Sequence, residues 1–178
     1  MLFTPHLQSL RLDSPYANVT ECLGILPNLT SLEISYYSSL KPGGTPVPMA
    51  TPLARLRYLT VHLTHSYAPD LWPWIAQLVP HRGSLQSLRI CNRVPFAGVN
   101  LPTVPTGFLS YLAKLYGNSL RELLLENLTV SKHDIFMICT SFSNLTILSF
   151  RHLQNDLVSV LFTMSWSQTN SKTILVIY

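Results

Sequence analysis

Two histidines, His62 and His65, stand three residues apart. On a helix that spacing would bring both rings to one face and suit a metal ion. Here they fall where the alternating run Leu59-Thr60-Val61-His62 gives way to a loop. No cysteine, aspartate or glutamate lies at ligand spacing beside them. They read as surface histidines. The cysteines Cys22, Cys91 and Cys139 are widely separated and form no C-x-x-C, so neither zinc nor a disulfide framework is indicated. Cys139 is spaced as a core residue of a helix, whereas Cys91 falls at an outward strand position where a thiol could react. No G-x-S-x-G, phosphate-binding glycine loop, H-E-x-x-H or carboxylate pair occurs. The expectation is a chain that is not an enzyme, with no catalytic residue, no cofactor and no metal. The rival is a hydrolase or transferase with a dispersed site that includes residues such as Asp70 or His62.

The elements that carry these residues are easier to read. Leu120-Arg121-Glu122-Leu123-Leu124-Leu125 has the form L-x-x-L-x-L. The phrase recurs at Leu7/Leu10/Leu12, Leu29/Leu32/Ile34, Leu56/Leu59/Val61, Leu85/Leu88/Ile90 and Leu145/Leu148/Phe150. A worn seventh copy at Leu175/Ile177 has Lys172 in the first position. In each copy the last two apolar residues are two apart, so they share one side of a short strand. Strands are expected near 7–12, 29–34, 56–61, 85–90, 120–125, 145–150 and 174–178, in a single domain over 1–178 with six to seven repeats. First leucines are separated by 22, 27, 29, 35 and 25 residues, room for a crossover that makes the strands parallel.

The return segments carry helix signals. Asn18 with Glu21, and Ser131 with Asp134, have capping-box spacing. Asp70 is a candidate cap ahead of Trp74, Ile75, Leu78 and Val79, and Gly117 closes a helix that begins near Thr106. Ile135, Phe136, Ile138, Cys139 and Phe142 form the buried set after Ser131. The run Leu157–Trp166 is apolar nearly all round and reads as a buried helix.

Leu26-Pro27-Asn28-Leu29-Thr30-Ser31-Leu32-Glu33-Ile34 resembles the L-P-N-L-x-x-L-x-L phrase of leucine-rich-repeat proteins. Gly83-Ser84-Leu85-Gln86-Ser87-Leu88-Arg89-Ile90 and Asn118-Ser119-Leu120-Arg121-Glu122-Leu123 resemble the ribonuclease-inhibitor-like repeats found behind fungal F-box domains. The resemblance covers nearly the whole chain. It implies an α/β leucine-rich-repeat solenoid, a curved horseshoe with parallel strands on the concave face and helices and irregular segments on the convex face. Its functional implication is a non-catalytic protein–protein recognition module. The alternative is the substrate-receptor part of a cullin-type ubiquitin ligase. No helical F-box precedes Leu7, so the chain by itself is expected not to recruit the ligase adaptor.

Composition narrows the partner. Charged residues make up 11% of the chain, against roughly 25% in an ordinary soluble domain. The formal charge is +4, modest for a nucleic-acid binder, which needs many basic contacts at once. Arg55, Arg57, Arg82, Arg89 and Arg93 cluster in the middle of the chain with only Asp70 among them, so the expected partner is a protein, preferably an acidic one, and not a nucleic acid. Met1–Pro5 has no basic n-region or apolar h-region, and the run to Trp166 is short of the roughly 20 residues that span a bilayer. An intracellular chain without membrane contact is expected. Two proline-bearing inserts, Tyr36–Thr51 and Arg93–Pro105, leave the carboxyl ends of their strands on one edge. They centre the expected partner site on Glu33, Tyr36, Tyr58, His62, Arg89 and Phe96. Outward strand positions also place Arg11 beside Glu33 and Glu126 beside Arg151. The apolar strand Ile174–Tyr178 is expected to self-associate through its edge.

Overall fold

The computed structural model describes residues 6–13, 23, 26–36, 53–64, 71–79, 84–93, 101–153, 159–166 and 172–177, and beyond residue 150 it is the backbone that is described. The segments around Asn18–Glu21, residues 37–50, Asp70 and Phe96 lie outside these residues. Six strands run parallel in chain order: β1 (Ser9–Leu12), β2 (Ser31–Tyr36), β3 (Tyr58–Leu63), β4 (Ser87–Asn92), β5 (Glu122–Thr129) and β6 (Ile147–Leu153). Two more, β7 (Ser159–Trp166) and β8 (Lys172–Ile177), extend the sheet beyond β6 with antiparallel pairing. Three helices are described between strands: α1 (Leu71–Leu78), α2 (Thr106–Tyr116) and α3 (Lys132–Ser141). The class is α/β.

The repeated phrase explains the register. Leu10, Leu32, Leu59, Leu88, Leu123 and Leu148 stand side by side across the six strands. Leu12, Ile34, Val61, Ile90, Leu125 and Phe150 form the next row. A slip of one residue would turn every one of these side chains to the other face. Each leucine taken fully out of water contributes about 1.5–3 kcal/mol, so the pattern fixes the pairing. The first leucines, Leu29, Leu56, Leu85, Leu120 and Leu145, are also buried, and all join one core with the inner faces of the helices, among them Ile75, Leu78, Leu109, Leu112 and Tyr116.

Local signals set the helix ends. Ser131 Oγ accepts from the Asp134 amide at 3.2 Å, while Asp134 Oδ2 accepts from the Ser131 amide at 3.3 Å. This is the reciprocal cap expected from the spacing. Gly117 ends α2 in an ordinary right-handed conformation, with φ −52°. Its role is space: a Cβ there would lie 2.6 Å from the Ser141 carbonyl oxygen and 2.7 Å from that of Ala113. The glycine lets the end of α2 approach the end of α3.

Three expectations need correction. Residues 159–166 are a strand, not a helix, and β8 runs antiparallel to β7 instead of continuing the parallel series. A short apolar run does not separate the two states by periodicity alone. The usable signal is alternation: Val160, Phe162, Met164 and Trp166 occupy one phase, with Ser159, Thr163 and Ser165 in the other, broken only by Leu161. Phe136, expected in the core, is 68% exposed. Asp134 and Ile138, four apart, form the buried line of α3, and a residue two positions from each faces away from it.

Candidate functional site

The helices cover one face of the sheet, and the other face is built from the alternate strand positions. Its first row across β1–β6 is Ser9, Ser31, Tyr58, Ser87, Glu122 and Ile147. The second is Arg11, Glu33, Thr60, Arg89, Leu124 and Ser149. In the third, Ser35, His62, Cys91 and Glu126 are neighbours on β2–β5. Exposure falls along the strands. Tyr58 is 47% and Ile147 37% exposed, whereas His62 and Cys91 are each at 6%. The open part of this face therefore lies toward the amino-terminal ends of the strands.

Charges on the face are mostly paired. Glu33 Oε1 lies 2.8 Å from His62 Nε2 and 3.5 Å from an Arg11 guanidinium nitrogen. Arg93 Nη2 approaches the same His62 Nε2 at 3.0 Å. In no protonation state can one imidazole nitrogen both donate to Glu33 and accept from Arg93. Among the described residues His62 Nδ1, which is buried, has no hydrogen-bond partner. Arg89 donates to Glu126 Oε1 from Nε at 2.9 Å and from Nη2 at 2.5 Å. That hydrogen bond raises the Arg89 pKa above its ordinary value. The Ser87 hydroxyl donates to Glu122 Oε2 at 2.9 Å, and the Tyr58 hydroxyl donates to Gln86 Oε1 at 3.3 Å.

An irregularity in β5 decides the Glu126 pairing. Between Leu125 and Thr129 the register with β6 shifts, and Arg151 comes to stand opposite Thr129. Glu126 is bonded to Arg89 on the β4 side, and the backbone position of Arg151 stands opposite Thr129 and not opposite Glu126. Asn127 sits in the bulge at φ 58°, a left-handed conformation that asparagine tolerates. Its Nδ2 donates to the Asn92 carbonyl at 2.9 Å, and Asn92 Nδ2 returns a bond to the Asn127 carbonyl at 3.3 Å.

The six residues expected at the partner site separate into groups. Tyr58 and Arg89 stand exposed on adjacent strands at the centre of the open face. Glu33 is half-buried and bonded to His62. His62 is buried, not at the surface, as are its third-row neighbours Ser35 and Cys91, while Glu126 at the end of that row stays partly exposed. Tyr36 shares the strand phase of Leu32 and Ile34, and its ring packs against Trp74 of α1 at a centroid distance of 5.1 Å. It is a packing residue on the helix side, as strand parity from Ile34 would have shown. Phe96 lies outside the described residues. Cys91 is buried, and burial pushes its thiol up to about 11, so the expected reactive thiol is a protonated core group at neutral pH. Residues that belong to the face and were not in the expected site are Glu122, Leu124, Glu126 and Ile147. Counting in twos from Leu120 and Leu145 finds them.

Among the described residues no group of three or more His, Cys, Asp or Glu side chains could hold a metal ion. None of their helices is long and apolar enough to cross a membrane. What the open face offers chemically is contact: hydrogen bonds, exposed charge and two large apolar side chains. Comparison of the chain with protein-family models, curated proteins and solved structures finds no match.

Proposed function

We propose that this chain is a non-catalytic protein-recognition module of the leucine-rich-repeat class, a curved solenoid that grips a protein partner on the concave face of its parallel sheet. The observation that carries the reading is the placement of exposed apolar surface. Three large hydrophobic side chains stand out as exposed among the described residues, Tyr58, Phe136 and Ile147, and two of them share one row of the open face. Arg89 lies one row further on. Tyrosine and arginine are the residue types that most often dominate interface energies. Strands bonded on both sides hold these side chains in place, which lowers the entropy lost on docking. Interstrand ion pairs such as Arg89–Glu126 would contribute at most about 1 kcal/mol each as surface decoration. They also leave polar groups ready to re-pair with a partner.

The test is site-specific photocrosslinking in extracts of the source cells. A benzophenone side chain placed at Tyr58 or Ile147 is expected to capture one discrete protein, in competition with excess unlabelled chain. The same group at Lys114, exposed on α2, should not. Equal capture from both faces, or none that is competed, contradicts the reading.

A further inference from the structure

The hydrogen-bond ladder of the sheet begins one residue before each strand. The Arg57 amide donates to Thr30 O at 2.8 Å, Gln86 to Arg57 O at 2.8 Å, Arg121 to Gln86 O at 2.8 Å and Thr146 to Arg121 O at 2.7 Å. Arg57 and Arg121 therefore stand on one line along the amino-terminal edge, two strands apart, a separation of about 10 Å. Both are exposed. Among the described residues neither guanidinium has an ion-pair partner. Arg55, beside them, uses its guanidinium on the neutral Asn28 Oδ1 at 2.9 Å.

The nearby acids do not cancel this charge. Glu33 is engaged by Arg11 and His62, and Glu126 by Arg89. Among the described residues Glu122 alone belongs to the edge, where its carboxylate accepts from Ser87. Among these residues three arginines, Arg55, Arg57 and Arg121, thus stand along the edge with one carboxylate. The row that follows immediately contains the exposed Tyr58 and Ile147.

We propose that this amino-terminal edge, Arg57 and Arg121 with Tyr58 and Ile147 beside them, docks an acidic peptide segment that carries an apolar residue. The proposal deepens the recognition reading above and rests on it. It moves the site away from the carboxyl-terminal rim, where Ser35, His62 and Cys91 are buried. A peptide in the polyproline II conformation has three residues per turn and rises about 3.1 Å per residue, so acids three residues apart fall on one side, about 9 Å apart, and match the two arginines. The apolar residue would lie over the Tyr58 row. A nucleic acid fits less well, because phosphate-driven binding needs more cations than this edge supplies.

The experiment selects twelve-residue peptides from a random display library on the intact chain, then measures the affinities of the enriched peptides. Enrichment of Asp or Glu in pairs three residues apart, with an aromatic or aliphatic residue between or beside them, is expected. Arg57→Gln combined with Arg121→Gln should weaken those peptides about tenfold, and raising the salt should weaken them for the unmodified chain. Lys114→Gln serves as the control. Since both arginines are exposed, circular dichroism should find the double variant folded. Enriched peptides without acidic bias, or acidic ones indifferent to the double variant, would overturn this edge. If those peptides still depend on Tyr58, the general recognition reading survives. No enrichment over an unrelated protein counts against both. Tighter binding of a single-stranded oligonucleotide than of any peptide overturns the acidic-segment assignment.

Discussion

Asn127 tests whether the bulge that separates Glu126 from β6 is as tightly specified as it looks. Two quantities are at stake there, a left-handed backbone at φ 58° and a pair of amide–carbonyl bonds with Asn92. Asn127→Gly keeps the backbone freedom and removes the bond donated to Asn92 O, a loss of about 1 kcal/mol. Asn127→Ala removes the same bond and also forces a Cβ-bearing residue without asparagine's local compensation into the left-handed region, about 1 kcal/mol more. The expected order of stability is wild type, then Gly, then Ala, with losses of about 1 and 2 kcal/mol. For a chain of this length that corresponds to a fall in Tm of about 2–4 °C and 4–8 °C respectively. Thermal and urea melts followed by far-UV circular dichroism measure it. Equal losses for the two variants would show that residue 127 is not held left-handed. Losses near zero for both would refute the paired-amide account, and with it the reason Glu126 turns to Arg89.

Three further outcomes follow from the same geometry. Cys91 has a folded-state pKa of about 11 against an ordinary 9.0, so the fold binds this proton more tightly than the unfolded chain. Its contribution to stability is complete below the ordinary thiol range and is lost as pH rises through about 11; the urea midpoint of wild type should therefore fall more steeply above pH 9 than that of Cys91→Ala, and parallel curves would contradict the assignment. Tyr36→Ala should destabilise by about 1 kcal/mol or more through loss of the ring contact with Trp74, while Tyr58→Ala stays within about 0.5 kcal/mol; the reverse order in urea melts would exchange their roles. β8 pairs with β7 and lies at the end of the strand order, so sedimentation mass is expected to rise with concentration and Leu175→Lys to suppress the rise; a monomer throughout would remove the edge-pairing argument.

Much of this was legible in the leucines. Every first-to-last copy of L-x-x-L-x-L from Leu7 to Phe150 marks a strand, because the pattern buries the same phase in each and leaves a single register. The Ser131–Asp134 cap was equally direct. What escaped the sequence depended on features that spacing does not encode. Over residues 159–166 bulk apolarity masks the alternation that marks the strand. His62 and Cys91 have the parity of surface residues, yet both are buried. Tyr36 was assigned by residue type when its parity with Ile34 placed it among the core contacts. Glu126 was matched to Arg151 by counting, and the bulge at Asn127 broke the count.

The open sheet face, and not the helical face, is expected to meet the partner. Hydroxyl-radical footprinting of the chain with and without its crosslinked partner measures this side chain by side chain. Tyr58, Leu124 and Ile147 should lose labelling on complex formation, while Phe136, 68% exposed on α3, keeps it. Protection of Phe136 with unchanged labelling of Tyr58 and Ile147 would place the partner on the helices and contradict the account.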